Sequence, residues 1–122
     1  MAHLRDAKDF LDSAEDDFES LRFKPAASNA CLSTIRSSDA VCVAELGQRW
    51  KGDHGGATIL VAKTTVGQGG ARLLGQAVAA KNDKQYRIVE TTEEEALALL
   101  EAAREMYDLA RAALGRAGFT AP

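Results

Sequence analysis

The sequence predicts an all-α protein, an antiparallel up-and-down bundle of four to five helices. Alanine and leucine dominate the 122 residues, of which 46% are hydrophobic and 27% charged, with only two prolines, and this composition favours helix. Apolar residues also recur at helical spacings of three and four near both ends of the chain. The length suits one hydrophobic core, so we expect residues 1–122 to form a single domain.

The first helix is predicted over about residues 3–23. One apolar stripe runs along it, because its apolar residues alternate spacings of three and four. These residues are Leu4, Ala7, Leu11, Ala14, Phe18 and Leu21.

A second long helix is predicted over about residues 26–46. Pro25 suits its first turn, where the missing N–H and the fixed φ do no harm, and Gly47 is a natural C-terminal stop. Its apolar stripe consists of Leu32, Ile35, Cys42 and Leu46.

The middle of the chain is interrupted by glycines. Residues 47–53 have the composition of a loop, and Asp53 can cap a helix over about residues 54–65. The run Gly67-Gln68-Gly69-Gly70 then predicts a break before another helix over about residues 71–81. The apolar faces of these two helices comprise Ala57, Leu60, Val61 and Thr64 in the first and Leu74, Ala77 and Val78 in the second.

The last helix is predicted over about residues 93–116. Residues 82–90 read as a loop, since the possible strand Tyr86–Val89 has no second strand nearby to pair with. Thr92 and Glu95 have the spacing of a capping box. The heptad positions that follow are Ala96, Leu100, Ala103, Tyr107, Ala110 and Leu114.

Charge and cysteine content narrow the possible functions. Fifteen basic and eighteen acidic residues give a net charge of −3, so the chain as a whole repels a polyanion and any contact with nucleic acid must be local. Cys31 and Cys42 fall on one helix about 16 Å apart at 1.5 Å per residue, too far for a disulfide. We expect both to be reduced core residues.

The start of the chain predicts a cytoplasmic protein without a membrane anchor. Four charged residues among the first ten leave no apolar signal-peptide region, and no stretch reaches membrane-spanning length. Two histidines and two separated cysteines form no zinc pattern, and the glycine run at residues 67–70 lacks the spacing of a dinucleotide site. We therefore expect no metal and no cofactor.

One acidic residue interrupts an apolar stripe. Asp39 falls between Ile35 and Cys42 and therefore points where the apolar residues point. A buried carboxylate needs a partner. Two interpretations stay open: Asp39 bonds to a neighbouring helix or lies at the edge of the stripe, or it orients a functional arginine or histidine.

The loop after the second helix contains an arginine and a histidine with four residues between them. Gly52 permits a tight turn that brings Arg49 and His54 together, and the helix that follows offers free N–H groups. Arg49 suits a phosphate, His54 exchanges protons near neutral pH, and Lys51 adds positive charge. Such a set suits metal-free RNA cleavage. Nine arginines and two histidines also produce this spacing by chance, so a site without function stays open.

Together with this Arg-x4-His motif, several segments resemble the HEPN superfamily, in particular its short stand-alone bacterial members. They are residues 26–30 (AASNA), 35–40 (IRSSDA), 47–54 (GQRWKGDH) and the Lys-and-Tyr segment 81–86. The resemblance spans most of the chain and implies a small helical bundle.

The resemblance also implies a function. Active HEPN proteins are metal-independent ribonucleases, often toxins of toxin–antitoxin systems or stress-defence proteins, and work as homodimers whose motifs face each other. Arg49 and His54 would then be catalytic, with Asp39, Lys51 and Asp53 in support, RNA as substrate and an antitoxin protein as a further partner. Trp50 would stack on a base or pack at the dimer seam. The alternative is a non-catalytic HEPN bundle that binds a nucleotide or a partner protein.

Overall fold

The described part of the chain folds into five α-helices, which confirms the predicted all-α class. The structure, a computed structural model, describes residues 2–52, 56–86 and 91–119, with the backbone alone for residues 83–86. Within these ranges no strand occurs. The helices are α1 (Ala2–Glu19), α2 (Phe23–Leu46), α3 (Ala57–Val61), α4 (Gly67–Tyr86) and α5 (Glu93–Arg116).

Helix α2 occupies the centre of the bundle, where it packs against all four other helices. Half of its 24 residues are buried, on more than one face, so the single predicted stripe was too narrow. Small side chains make this possible because neighbouring helices can approach closely, and two of the buried hydroxyls bond to backbone carbonyls. Ser33 Oγ donates to the carbonyl of Ala7 at 2.7 Å, and Thr34 Oγ1 donates to that of Ala30 at 3.2 Å.

The periodicity predicted for the terminal helices is largely confirmed. All six predicted heptad residues of α5 are buried, and so are the first four residues of the α1 stripe. Phe18 is only half-buried and packs against Phe23, with ring centroids 5.5 Å apart. Leu21 was wrongly placed in the core: it is 70% exposed, because α1 ends at Glu19 instead of continuing to residue 23.

The glycine run at residues 67–70 is a helix start, which corrects the predicted break. Gly67 has φ +57° and begins α4. A Cβ on Gly70 would lie 2.5 Å from Cγ2 of Val66, so the missing side chain allows this turn to close tightly. The glycines therefore serve close packing at the start of α4.

Two other boundaries differ from the prediction. Helix α3 begins at Ala57 with Gly56 at its N-cap position, so Asp53 is not the N-cap of α3, and the helix is shorter than residues 54–65. Helix α4 continues to Tyr86, so residues 82–86 are not a loop. The remainder of the predicted loop, residues 87–90, lies outside the described residues.

Several local predictions are confirmed. Thr92 Oγ1 accepts a hydrogen bond from the Glu95 N–H at 3.1 Å, while Glu95 Oε1 accepts one from the Thr92 N–H at 3.2 Å, which completes the capping box. Cys31 and Cys42 are both buried and free. None of the helices in the described ranges combines the length and apolar character needed to cross a membrane.

Helices α1 and α5 end in the same hydrogen-bonded turn. Leu21 and Gly118 both have positive φ, +62° and +91°. In each turn, the backbone N–H of the residue that follows the positive-φ position donates to the carbonyl five residues earlier. The N–H of Arg22 donates to Asp17 at 2.8 Å, and that of Phe119 donates to Leu114 at 2.9 Å. This is the Schellman motif, which favours glycine at the left-handed position. Leu21 holds that position at a cost in backbone strain.

We expect Leu21→Gly to raise the free energy of unfolding by about 1 kcal/mol, because it relieves the left-handed strain while removing a mostly exposed side chain. The free energy is measured by chemical denaturation followed by circular dichroism. Gly118→Ala is the matched control and should lower stability by about 1 kcal/mol. Loss of stability in Leu21→Gly would show that the leucine side chain contributes more than its strain costs.

Candidate functional site

The candidate site lies where α2 ends and its chain enters the loop. Gly47 terminates α2 with φ +73°, and its N–H donates to the carbonyl of Val43 at 3.0 Å. This left-handed turn redirects the chain, so that Arg49 comes back alongside the last turns of α2. The turn therefore sets the position of the site.

Asp39 and Arg49 form an ion pair at this point. Nη1 of Arg49 lies 3.8 Å from Oδ2 of Asp39, a distance for an ion pair without a direct hydrogen bond. The Asp39 side chain is 13% exposed and that of Arg49 is 46% exposed. The carboxylate is thus largely withdrawn from water, while much of the guanidinium faces solvent.

A second arginine shares the same carboxylate. Nη1 of Arg36 lies 4.0 Å from Oδ2 of Asp39. Arg36 is not among the predicted site residues, although its position three residues before Asp39 on one helix is a signal for such a pair. Two guanidinium groups around one carboxylate leave local positive charge beside the second half of α2.

Trp50 packs against two glycines of the loop. A Cβ placed on Gly56 would lie 2.3 Å from Cζ2 of Trp50, and one on Gly52 would lie 3.0 Å from its Nε1. The loop therefore folds back on the indole, which still exposes 38% of its surface. A side chain at Gly56 would displace the ring, whereas one at Gly52 would only be in tight contact with it.

The structure brings together only part of the predicted site. Asp39 and Arg49 come together beside the second half of α2, and Trp50 and Lys51 follow Arg49 in the loop, where both are exposed. His54 and Asp53, predicted as a catalytic and a supporting residue, lie outside the described residues. Within the described ranges, no group of three or more His, Cys, Asp or Glu side chains is arranged to hold a metal ion.

A hydrogen-bonded cluster anchors the last turn of α2. The Glu45 carboxylate accepts hydrogen bonds from the backbone N–H of Thr65, at 2.8 Å, and from its hydroxyl. Nη2 of Arg116 in turn donates to Thr65 Oγ1 at 3.1 Å. This cluster ties α2 to the turn before α4 and to the end of α5, and so fixes the start of the site loop.

The nearby thiol is held in its neutral form. Burial, and then the negative charge of Asp39, raise the pKa of Cys42 from its ordinary value of 9.0 to about 11. Near neutral pH the side chain is therefore a thiol and a poor nucleophile. Cys42 thus belongs to the packing of α2 rather than to the chemistry of the site.

The fold and the site together define a helical-bundle protein with a carboxylate-held arginine and a tryptophan in an adjoining glycine-containing loop. Comparisons with protein-family models, with curated proteins and with solved structures found no match for this chain. An assignment of function for this chain therefore rests on its own residues and their geometry.

We expect Gly56→Ala to displace the indole of Trp50, because the new methyl group would overlap the ring. Trp50 is the only tryptophan, so its fluorescence reports on the loop directly. The emission should shift to longer wavelength and acrylamide quenching should rise. Gly69→Ala is the control, since a Cβ there meets nothing within 4 Å. Unchanged emission in Gly56→Ala would contradict the described packing.

We expect the stability difference between the wild type and Cys42→Ala to change at alkaline pH. Because the pKa of Cys42 is higher in the folded state than in the unfolded state, the protonated thiol contributes to the free energy of unfolding. This contribution is complete below pH 9 and falls as pH rises from about 9 to about 11. The wild type should therefore lose stability relative to Cys42→Ala across this window and not below it. Denaturation series at several pH values measure the difference. A constant difference up to pH 11 would contradict the pKa.

Proposed function

We propose that this chain is a metal-independent ribonuclease of the HEPN type, with a role in toxin–antitoxin or stress defence. It acts as a homodimer in which Arg49 and His54 of the two copies face the same RNA strand. The observation that carries the proposal is the arrangement of Arg49, which is held by Asp39 and still 46% exposed. The contribution of His54 rests on its place in the Arg-x4-His sequence motif.

The proposed reaction needs proton transfer and charge stabilisation. An imidazole of His54 removes the proton from a 2′-hydroxyl, whose oxygen forms a bond to phosphorus while the bond from phosphorus to the 5′-oxygen breaks. The departing 5′-oxygen receives a proton from an imidazolium. Arg49 stabilises the additional negative charge on the phosphoryl oxygens in the transition state.

In this mechanism Asp39 is a positioning residue. A free arginine side chain samples many rotamers, and binding a phosphate with it has an entropic cost. The largely buried carboxylate of Asp39 restricts the guanidinium of Arg49 before RNA arrives. The N–H groups of Arg49 that face away from Asp39 then serve the phosphate, since a guanidinium carries five donors.

A homodimer suits the charge of the chain. Each copy has a net charge of −3, so RNA needs a local concentration of positive charge. Two copies of Arg49 and Lys51 facing one cleft would supply it. An antitoxin that covers this cleft would block the site.

A second candidate function is nucleotide binding without catalysis. The partly exposed indole of Trp50 beside the exposed Arg49 favours it, because an aromatic face and a cation suit a base and a phosphate. The two candidates differ in whether Arg49 and His54 are needed for RNA cleavage or only for binding.

We expect purified wild type to cleave single-stranded RNA in EDTA, and Arg49→Ala or His54→Ala to reduce the rate at least about 100-fold. Asp39→Asn should cost about 10-fold, because Arg49 keeps its charge and loses its fixed position. Cleavage of a labelled RNA measures the rates, and size-exclusion chromatography follows the dimer.

Arg104→Ala is the matched control. The Arg104 side chain is 48% exposed and pairs with Glu15 at 3.0 Å, far from Arg49 in sequence. The variant therefore loses an arginine ion pair of similar exposure and should keep full activity. Equal cleavage rates in the wild type, Arg49→Ala and His54→Ala would contradict the proposal that the protein is an enzyme. Loss of nucleotide binding in Arg49→Ala without any cleavage by the wild type would favour the second candidate.

A further inference from the structure

An open groove lies between α3 and α4. Its volume is about 610 Å³. We call it the α3–α4 groove, and its principal lining residues are Thr58, Ile59, Lys63, Gln68 and Arg72. The two cationic side chains, an amide and a hydroxyl are the donor types that bind phosphate oxygens.

Among the residues that the structure describes, the charge of the groove is not compensated. None of its described lining residues is a carboxylate. Lys63 and Arg72 are exposed and take part in no ion pair within the described part of the chain. The positive end of the α4 helix dipole adds to their field, since Gln68 lies in the first turn of α4.

The sequence around the groove is basic, in contrast to the rest of the chain. Residues 46–82 contain five lysines and arginines and one acidic residue, Asp53, whereas the rest of the chain has ten basic and seventeen acidic residues. The five basic residues include Arg49 and Lys51 of the site loop and Lys63 and Arg72 of the groove. Basic residues are about as frequent in residues 46–82 as in the rest of the chain, so the net charge of +4 in this segment, five basic minus one acidic, comes from the scarcity of carboxylates.

The groove adjoins the site loop. Thr58 is two residues from Gly56, against which Trp50 packs, so the two Cα atoms are at most about 7.6 Å apart. Because Arg49 directly precedes Trp50 in the sequence, the chain segment that carries Arg49 lies next to the start of α3. Ile59, which is 67% exposed, provides an apolar contact there for a base or a ribose.

We propose that the α3–α4 groove binds a phosphodiester of the single-stranded RNA next to the one at Arg49. This inference rests on the proposed function, because the bound strand is the strand that Arg49 and His54 would cleave. Lys63 and Arg72 bind the phosphate oxygens, Gln68 donates a further hydrogen bond, and Ile59 packs against the sugar or base.

Binding of a 2′-O-methyl oligonucleotide of about 12 nucleotides tests the groove without cleavage. Fluorescence anisotropy gives its Kd from about 50 to 200 mM salt. We expect Lys63→Gln/Arg72→Gln to weaken binding about 10-fold and to reduce the slope of log affinity against log salt by about 1.4, the value for two phosphate contacts on a single strand.

Lys24→Gln/Arg111→Gln is the matched control pair. Both residues are exposed on α2 and α5, outside the groove lining, and their removal changes the net charge equally. The control should change the Kd less than about twofold. Thermal unfolding monitored by circular dichroism checks that both double variants keep the wild-type fold.

The outcomes separate this inference from the proposed function. Equal weakening in both double variants, or equal displacement of the RNA by a polyglutamate of the same length, would overturn the groove as a phosphate site. If Lys63→Gln/Arg72→Gln weakens RNA binding but Arg49→Ala leaves the cleavage rate unchanged, the groove is supported and the proposed nuclease is contradicted. If Arg49→Ala abolishes cleavage but Lys63→Gln/Arg72→Gln binds RNA as tightly as the wild type, the nuclease is supported and the groove is overturned as a binding site.

Discussion

The burial of α2 among four neighbouring helices is the constraint on which the rest of the structure depends. Such a helix can carry few large side chains, and α2 meets this condition with alanine, serine, threonine and cysteine at most of its buried positions. Close packing also removes water from the polar groups of α2. The hydroxyls of Ser33 and Thr34 therefore bond to backbone carbonyls, and a carboxylate on this helix has to lie where a cation can reach it.

Asp39 meets that requirement close to the end of α2, and this explains how packing leads to a site. Its carboxylate is withdrawn from water, and the left-handed turn at Gly47 brings Arg49 back to it. The same carboxylate contributes to the raised pKa of Cys42. The guanidinium of Arg49, one of the two that balance the buried charge, also faces solvent, so a structural need of α2 leaves an oriented cation at the surface.

The fold class and most of the core could be predicted from the sequence, because long helices repeat their apolar residues at regular spacing. The helix boundaries in the middle of the chain could not, since Gly67 and Gly70 favour a break by composition but permit a tight helix start in their tertiary context. The end of α1 was missed because a leucine, Leu21, occupies a position that glycine usually holds. The contact between Asp39 and Arg49 could be predicted only as one of two interpretations of Asp39, because the spacing of residues along a helix does not define the path of the loop that follows it.

Whether Asp39 holds Arg49 can be measured by a double-mutant cycle on the free energy of unfolding. Asp39→Asn, Arg49→Gln and the combined variant are compared with the wild type by chemical denaturation. We expect a coupling energy of about 1 kcal/mol, near the upper end for a partly exposed ion pair. Additive effects, with a coupling below about 0.3 kcal/mol, would show that Asp39 does not hold Arg49.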